Sequence, residues 1–313
     1  AGQRYAELFE DAGFPAGVFN LVQGQGDVGA ALVAHVGVDG VIFTGSYATG
    51  RRIRQATFDQ PHKMVSLELG GRNPAVVLDD ADLEQAVREI LLGALLTTGQ
   101  RCTATSRVIA TPGVAPALRE RLADALRRIQ PGDPTDPKTL MGPLATQDAQ
   151  RRFLALLAQA RAEGAKVLVE SEARPGGAYV TASLYEVEGT EGFLAEELFG
   201  PHLDFEVAAD EADAFARAAR GPYGLSASLF SARPETLDAF YDEVRAGVIN
   251  FNRSTNGASG LLPFGGTGMS GNWRAGGSAS PRLSTYPVAV MQVPHGHVTA
   301  HPALEAQLSG AEP

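Results

Sequence analysis

Met64-Val-Ser-Leu-Glu-Leu-Gly-Gly71 is an apolar run interrupted by a single acid and closed by two glycines. A short apolar run bounded by turn residues reads as a buried strand, so residues 64–67 are predicted as a strand that delivers Glu68 into the Gly70-Gly71 turn. Ala75 to Leu78 forms a second strand directly after it. From Asp82, which suits a helix N-cap, Ala86, Val87, Ile90, Leu91, Ala94 and Leu95 recur at helical spacing, and that helix is expected to stop near Gly99. Strand, turn, strand and amphipathic helix in this order predict an α/β fold with crossover connections.

The alternation continues in both directions. Upstream, Tyr5, Leu8 and Phe9 share a helix face that Gly13 and Pro15 end, followed by a strand at 18–22, a helix at 28–35, a strand at 40–43 and a helix at 47–57. Downstream, Leu118, Leu122, Ala125 and Ile129 make a stripe behind Pro116, and Phe153, Leu156, Leu157 and Ala160 make another closed by Gly164. A strand at 166–170, a helix capped by Asp210 and closed by Gly221, and strands at 226–231 and 247–252 complete the pattern. Eight glycines between Asn256 and Gly277 exclude regular helix or strand there, and the stretch after Val293 reads as a loose tail.

Composition narrows the function. With 26 basic against 36 acidic residues, a net charge of −10, nucleic acid and anionic membrane are disfavoured as partners. The longest apolar stretch, Ile90 to Leu96, is far too short to span a bilayer. A single cysteine rules out an intrachain disulfide and a cysteine-based metal cluster, no other metal site is read, and a reducing compartment, the cytoplasm, is expected.

Two turns invite an anion. Gly24, Gly26 and Gly29 match the GxGxxG pattern between a strand and a helix, which is a dinucleotide fingerprint or an ordinary tight turn. Phe43-Thr44-Gly45-Ser46 puts a hydroxyl at a helix start, where free N–H groups favour a pyrophosphate; an ordinary serine cap is the alternative. Cys102 follows Gly99-Gln100-Arg101, and the adjacent cation is expected to lower the thiol pKa and speed its alkylation at neutral pH; a small buried hydrophobe is the alternative. Glu68, at the end of a buried strand, is expected to have a raised pKa that suits a general base, or else to pair with an arginine.

LELGG with Glu68, GQRCT with Cys102 and the spacing between them resemble the aldehyde dehydrogenase superfamily. FTGS at 43–46, Glu196-Glu197-Leu198-Phe199-Gly200-Pro201, Gly224-Leu225-Ser226-Ala227, Asn250-Phe251-Asn252 and Pro263-Phe264-Gly265-Gly266 resemble its further motifs in its order. Asn252-Arg253, Gly257-Ala258 and PFGGTGMSGNWR are most similar to the succinylglutamate semialdehyde dehydrogenases, with proline-pathway glutamate semialdehyde dehydrogenases second.

The resemblance implies an aldehyde dehydrogenase-like α/β fold. Residues 1–70 would be a residual, truncated Rossmann-type NAD(P)-binding domain, 71–275 the catalytic domain, 283–293 an oligomerisation strand and 294–313 a tail. It implies NAD or NADP as cofactor and oxidation of a small carboxylate-bearing semialdehyde to the acid. Cys102 would form the thiohemiacetal and thioester, with Glu68 as general base. Gly45 and Ser46 would contact the pyrophosphate, Gly26 and Gly29 would lie near the adenine, Glu197 would hold the nicotinamide ribose, and Phe199 would pack nearby. Arg253, Gly257, Ala258 and Phe264 would meet the substrate, and a homo-oligomer is implied.

The family's earlier segment, with its PWN motif and ribose-binding lysine, has no counterpart in this sequence, so an incomplete cofactor half and a complementary N-terminal fragment as partner are expected. Three readings follow: a dehydrogenase, a non-catalytic remnant acting as oligomer or binding module, and a cofactor-independent thiol esterase.

Overall fold

A computed structural model of the chain describes residues 1–188 and 196–310. The expected tail is therefore described only to residue 310. The run read first becomes β2 (Met64–Glu68), which pairs in parallel with β1 (Gly40–Thr44), so that Thr44 stands opposite Glu68. Helix α1 (Gly2–Asp11) and helix α2 (Gly26–Ala34) precede this pair, and α3 (Tyr47–Ala56) connects its strands. Ile53 of α3 packs on Leu67 and Leu69. Lys63, 6% exposed, donates from Nζ to Val33 O at 2.8 Å and His35 O at 2.9 Å, placing a cation on the C-terminal carbonyls of α2.

After the Gly70-Gly71 turn the chain enters the main sheet. Strand β3 (Asn73–Val77) leads through α4 (Leu83–Leu95) to β4 (Thr105–Ala110), then α5 (Ala115–Arg128) and α6 (Gln147–Ala162). Strands β5 (Lys166–Val169), β6 (Ser183–Glu186) and β7 (His202–Val207) follow, then α7 (Glu211–Ala218), β8 (Ser226–Phe230), α8 (Thr236–Glu243) and β9 (Val248–Phe251). The seven strands lie in the order β9-β8-β3-β4-β7-β6-β5, and every neighbouring pair is parallel except β5–β6.

Alternation along a strand sends successive side chains to opposite faces, and here both faces are covered. Val77, Val108 and Phe205 meet Ile90, Leu95, Leu118 and Leu122 of α4 and α5. Val76, Ile109 and Leu229 meet Phe215 and Phe240 of α7 and α8. Helix α4 begins where the sequence places it: Asp82 Oδ1 accepts from Gln85 N at 2.8 Å. Asp82→Ala is expected to lower unfolding free energy by about 1 kcal/mol, read as a lower urea midpoint at unchanged slope.

Strands β4 and β7 escape the sequence reading. Both carry charged residues inside the sheet, and those charges are paired: Arg107 with Glu206 at 2.7 Å, and Arg72 with Asp204. His202 Nε2 lies 2.9 Å from Asp204 Oδ1 and its Nδ1 lies 2.8 Å from Ser183 Oγ.

The first 49 residues contain no buried side chain. Residues 18–22 form no strand. Among the described residues nothing pairs with them; Val18 and Val22 are exposed, while Phe19 stacks on Phe9. Likewise 284–292 pairs with no strand among the described residues, and Tyr286, Val288 and Val290 are exposed. The tail contains a short exposed helix, α9 (Pro302–Leu308). Among the described residues no helix is long and apolar enough to cross a membrane.

Candidate active site

The turn between β2 and β3 is built around close approach. A Cβ at Gly71 would lie 2.7 Å from the backbone oxygen of Cys102, so that position needs glycine, and one at Gly70 would push the Glu197 carboxylate aside. Gly71 N donates to Glu197 Oε1 at 2.9 Å. One turn thus brings the carboxylate of Glu197 and the backbone of Cys102 against the end of β2, where Glu68 sits.

Helix α4 ends at Leu95, short of the expected stop, because the next turn tightens. Thr97 and Thr98 take φ of 57° and 56°, and Gly99 takes 68°. Two threonines in the left-handed region are strained and must be held from outside. Thr98 Oγ1 donates to Gly142 O at 3.1 Å, Arg101 Nε donates to Thr97 Oγ1 at 2.9 Å, and Gln100 Oε1 accepts from Ala145 N at 2.8 Å. This corner presents Cys102 half-buried.

The electrostatics of the thiol run against the expectation from Arg101. Burial pushes its pKa up from the ordinary thiol range, and the Glu197 and Glu68 carboxylates push the same way; the backbone N–H groups of Thr103 and of Cys102 itself oppose them. The Arg101 guanidinium turns back to Thr97. Fast alkylation at neutral pH is therefore not the expectation from this geometry.

Glu68 is 8% exposed, and burial pushes its carboxyl up to about 7 against the opposing N–H of Gly276. Its Oε2 is buried without a hydrogen-bond partner. The alternative of an arginine partner is not realised among the described residues. Gly265 approaches so closely that a Cβ there would lie 2.8 Å from Glu68 Oε1, and Phe264, just before it, pairs with Gly276.

The loop after β9 is pinned to the cysteine corner. Thr255 Oγ1 donates to Thr103 O at 2.7 Å, and Asn256 accepts from Thr103 Oγ1 at 2.9 Å while donating to Gly93 O at 2.9 Å. Those ties bring Arg253, Gly257 and the exposed Ala258 beside the thiol's loop. The Arg253 guanidinium lies against Gly257, where a Cβ would be 2.8 Å from Nε, and it makes no ion pair or side-chain hydrogen bond among the described residues. Sequence reasoning assigned no role to Asn73, Thr103, Thr255 or Asn256; single polar residues between apolar runs were the available signal.

The two anion turns differ. Ser46 caps α3, its Oγ accepting from Thr49 N at 3.3 Å, and Gly45 N donates to Glu68 O at 3.0 Å, joining that turn to the acid. At Gly26 and Gly29 an added Cβ would meet nothing within 4 Å, so neither is a close-approach glycine. Phe199, at φ 54°, lines a small cavity of about 20 Å³ with Gly71, Arg101 and Glu197. A cleft of about 1050 Å³ lies on the opposite side of β2, lined by Val65, Leu67 and Leu69 and holding neither Cys102 nor Glu68.

The sequence profile of the aldehyde dehydrogenase family matches residues 1–287. The chain belongs to the aldehyde dehydrogenase family. It is 41% identical over 297 residues to an N-succinylglutamate 5-semialdehyde dehydrogenase of Caulobacter vibrioides, covering 94% of this chain and 62% of that relative. A putative aldehyde dehydrogenase from Burkholderia cenocepacia superposes with TM-score 0.89 at 34% identity, covering 96% of this chain and 62% of that one. A betaine aldehyde dehydrogenase from Staphylococcus aureus, solved in complex with NAD⁺, gives TM-score 0.85 at 30% identity, over 90% of this chain and 57% of that one. The chain spans 59% to 62% of the length of the curated relatives it matches.

Proposed function

We propose that this chain carries the catalytic machinery for oxidising a carboxylate-bearing semialdehyde to the acid. The observation that carries the reading is the meeting of a half-buried thiol, a buried carboxyl raised to about 7 and the half-buried Glu197 at one glycine turn. Cys102 adds to the aldehyde carbon, and its own backbone N–H stands by the oxygen that gains charge. Glu68 takes a proton from water, which then attacks the acyl carbon and releases the sulfur; the unpartnered Oε2 is the oxygen available for that proton.

The residues present fit a nicotinamide nucleotide. Glu197 is a half-buried acceptor held by Gly71 N–H beside Cys102, suited to ribose hydroxyls. Gly45 and Ser46 would hold the pyrophosphate at the start of α3, Gly26 and Gly29 would lie by the adenine, and Phe199 would pack beside the ring. When bound, the nucleotide, NAD⁺ or NADP⁺, supplies the hydride acceptor. The names of the semialdehyde dehydrogenase relatives and Arg253, which has no ion-pair partner among the described residues, support a substrate carboxylate at Gly257 and Ala258, with Phe264 closing the side towards Glu68.

The test is nucleotide reduction by the purified chain given succinic semialdehyde and NAD⁺ or NADP⁺, alongside calorimetric titration of each nucleotide. No heat and no reduction with either nucleotide overturns the dehydrogenase reading for this chain. Hydrolysis of an activated ester without nucleotide, lost on substituting Cys102, would instead support the thiol esterase. Arg253→Ala is expected to lower kcat/KM for succinic semialdehyde about 10- to 100-fold, the worth of one charge-assisted hydrogen bond, and to leave butyraldehyde unaffected. An equal loss for both aldehydes would remove Arg253 from the substrate.

A further inference from the structure

Asn73 opens β3 and is 1% exposed. Its Nδ2 donates to Cys102 O and to Ala104 O, both at 2.8 Å, and its Oδ1 accepts from Ser226 N at 3.0 Å. One carboxamide therefore grips the carbonyls on either side of Thr103 and ties them to β8. Ladder bonds cannot do this work here. The register of β3 and β4 shifts between Asn73 and Pro74, and Pro74 has no N–H to give.

The peptide between Cys102 and Thr103 is planar and trans, so its carbonyl and its N–H point in opposite directions. Holding Cys102 O on Asn73 consequently fixes where Thr103 N–H points. Gly71 closes the remaining freedom, since a Cβ there would lie 2.7 Å from Cys102 O and 2.6 Å from Asn73 Oδ1. We infer that Asn73 is a positioning residue for the nucleophile: by holding the Cys102 carbonyl, its side-chain amide aims the Thr103 N–H at the sulfur.

This deepens the reading of Cys102 as nucleophile and rests on it. The charged groups that act on the sulfur, Glu197 and Glu68, both disfavour the thiolate, so the support comes from the two backbone N–H groups. Asn73 holds the peptide that carries one of them.

The experiment is the pH profile of iodoacetamide alkylation in the purified chain, its Asn73→Ala and Asn73→Asp variants, and Ile90→Val as a core control. Asn73→Ala is expected to slow alkylation about fivefold near neutral pH, the worth of one hydrogen bond to the thiolate, and to move the profile's midpoint upward. Asn73→Asp, which keeps the shape but adds a negative charge beside the sulfur's loop, is expected to move it further. Ile90→Val loosens the core and leaves the midpoint in place.

Midpoints unchanged in both Asn73 variants, with circular dichroism like that of the wild type, overturn the inference and leave the nucleophile standing. Should both variants aggregate, Asn73→Ser, whose hydroxyl stops one bond short of the amide nitrogen that holds Cys102 O, takes their place: a raised midpoint supports the inference and an unchanged one overturns it. A folded wild-type chain whose Cys102 takes no label at any pH removes the nucleophile itself, and with it anything to position.

Discussion

Cys102→Ser is expected to lower both ester hydrolysis and nucleotide-dependent aldehyde oxidation by about 10³-fold or more, with the fold intact. The chain has one cysteine, so no second sulfur can take over. Serine is close to isosteric, and the corner that presents residue 102 is held by Thr97, Thr98 and Gln100, not by the sulfur. The hydroxyl differs in acidity. Burial and two carboxylates already push the thiol up, and an alcohol in the same place is far harder still to ionise. Mass spectrometry of the chain quenched during ester turnover should show an acyl group on residue 102 in the wild type and none in the variant. Turnover in the variant above a tenth of the wild-type rate would place the nucleophile elsewhere.

The parts of this site that were legible in sequence are those whose chemistry is local. Glu68 stood out because an acid at the end of an apolar strand has no structural task, and its raised pKa follows from that burial alone. Asp82 was readable as a cap for the same reason. Strands β4 and β7 were not readable, because Arg107, His202, Asp204 and Glu206 look like a solvated pattern until each is seen to have a buried partner. Arg101 misled because neighbours in sequence need not share a side of the chain; the left-handed turn at Thr97 and Thr98 sends its guanidinium backwards. Glu197 reached the site only through family resemblance. Asn73 and Asn256 could not be assigned roles at all, since a buried carboxamide has no periodicity and declares itself only by what it bridges.

Glu68→Gln is expected to separate the two halves of the reaction. Glutamine keeps the shape and cannot take a proton, so hydrolysis of the acyl group should fall about 10²- to 10⁴-fold. In the wild type the carboxylate is the active form, so the rate of that step should rise with pH through about 7 and then level; the variant should lack the inflection. The first half should respond in the opposite sense. The Glu68 charge raises the thiol pKa, so removing it lowers that pKa and increases the thiolate present at a given pH. Stopped-flow measurement with an activated ester should then show an acylation burst at least as fast as in the wild type, followed by almost no turnover, with the acyl group trapped on Cys102. Burst and turnover falling together would mean that Glu68 draws its proton from the thiol and not from water.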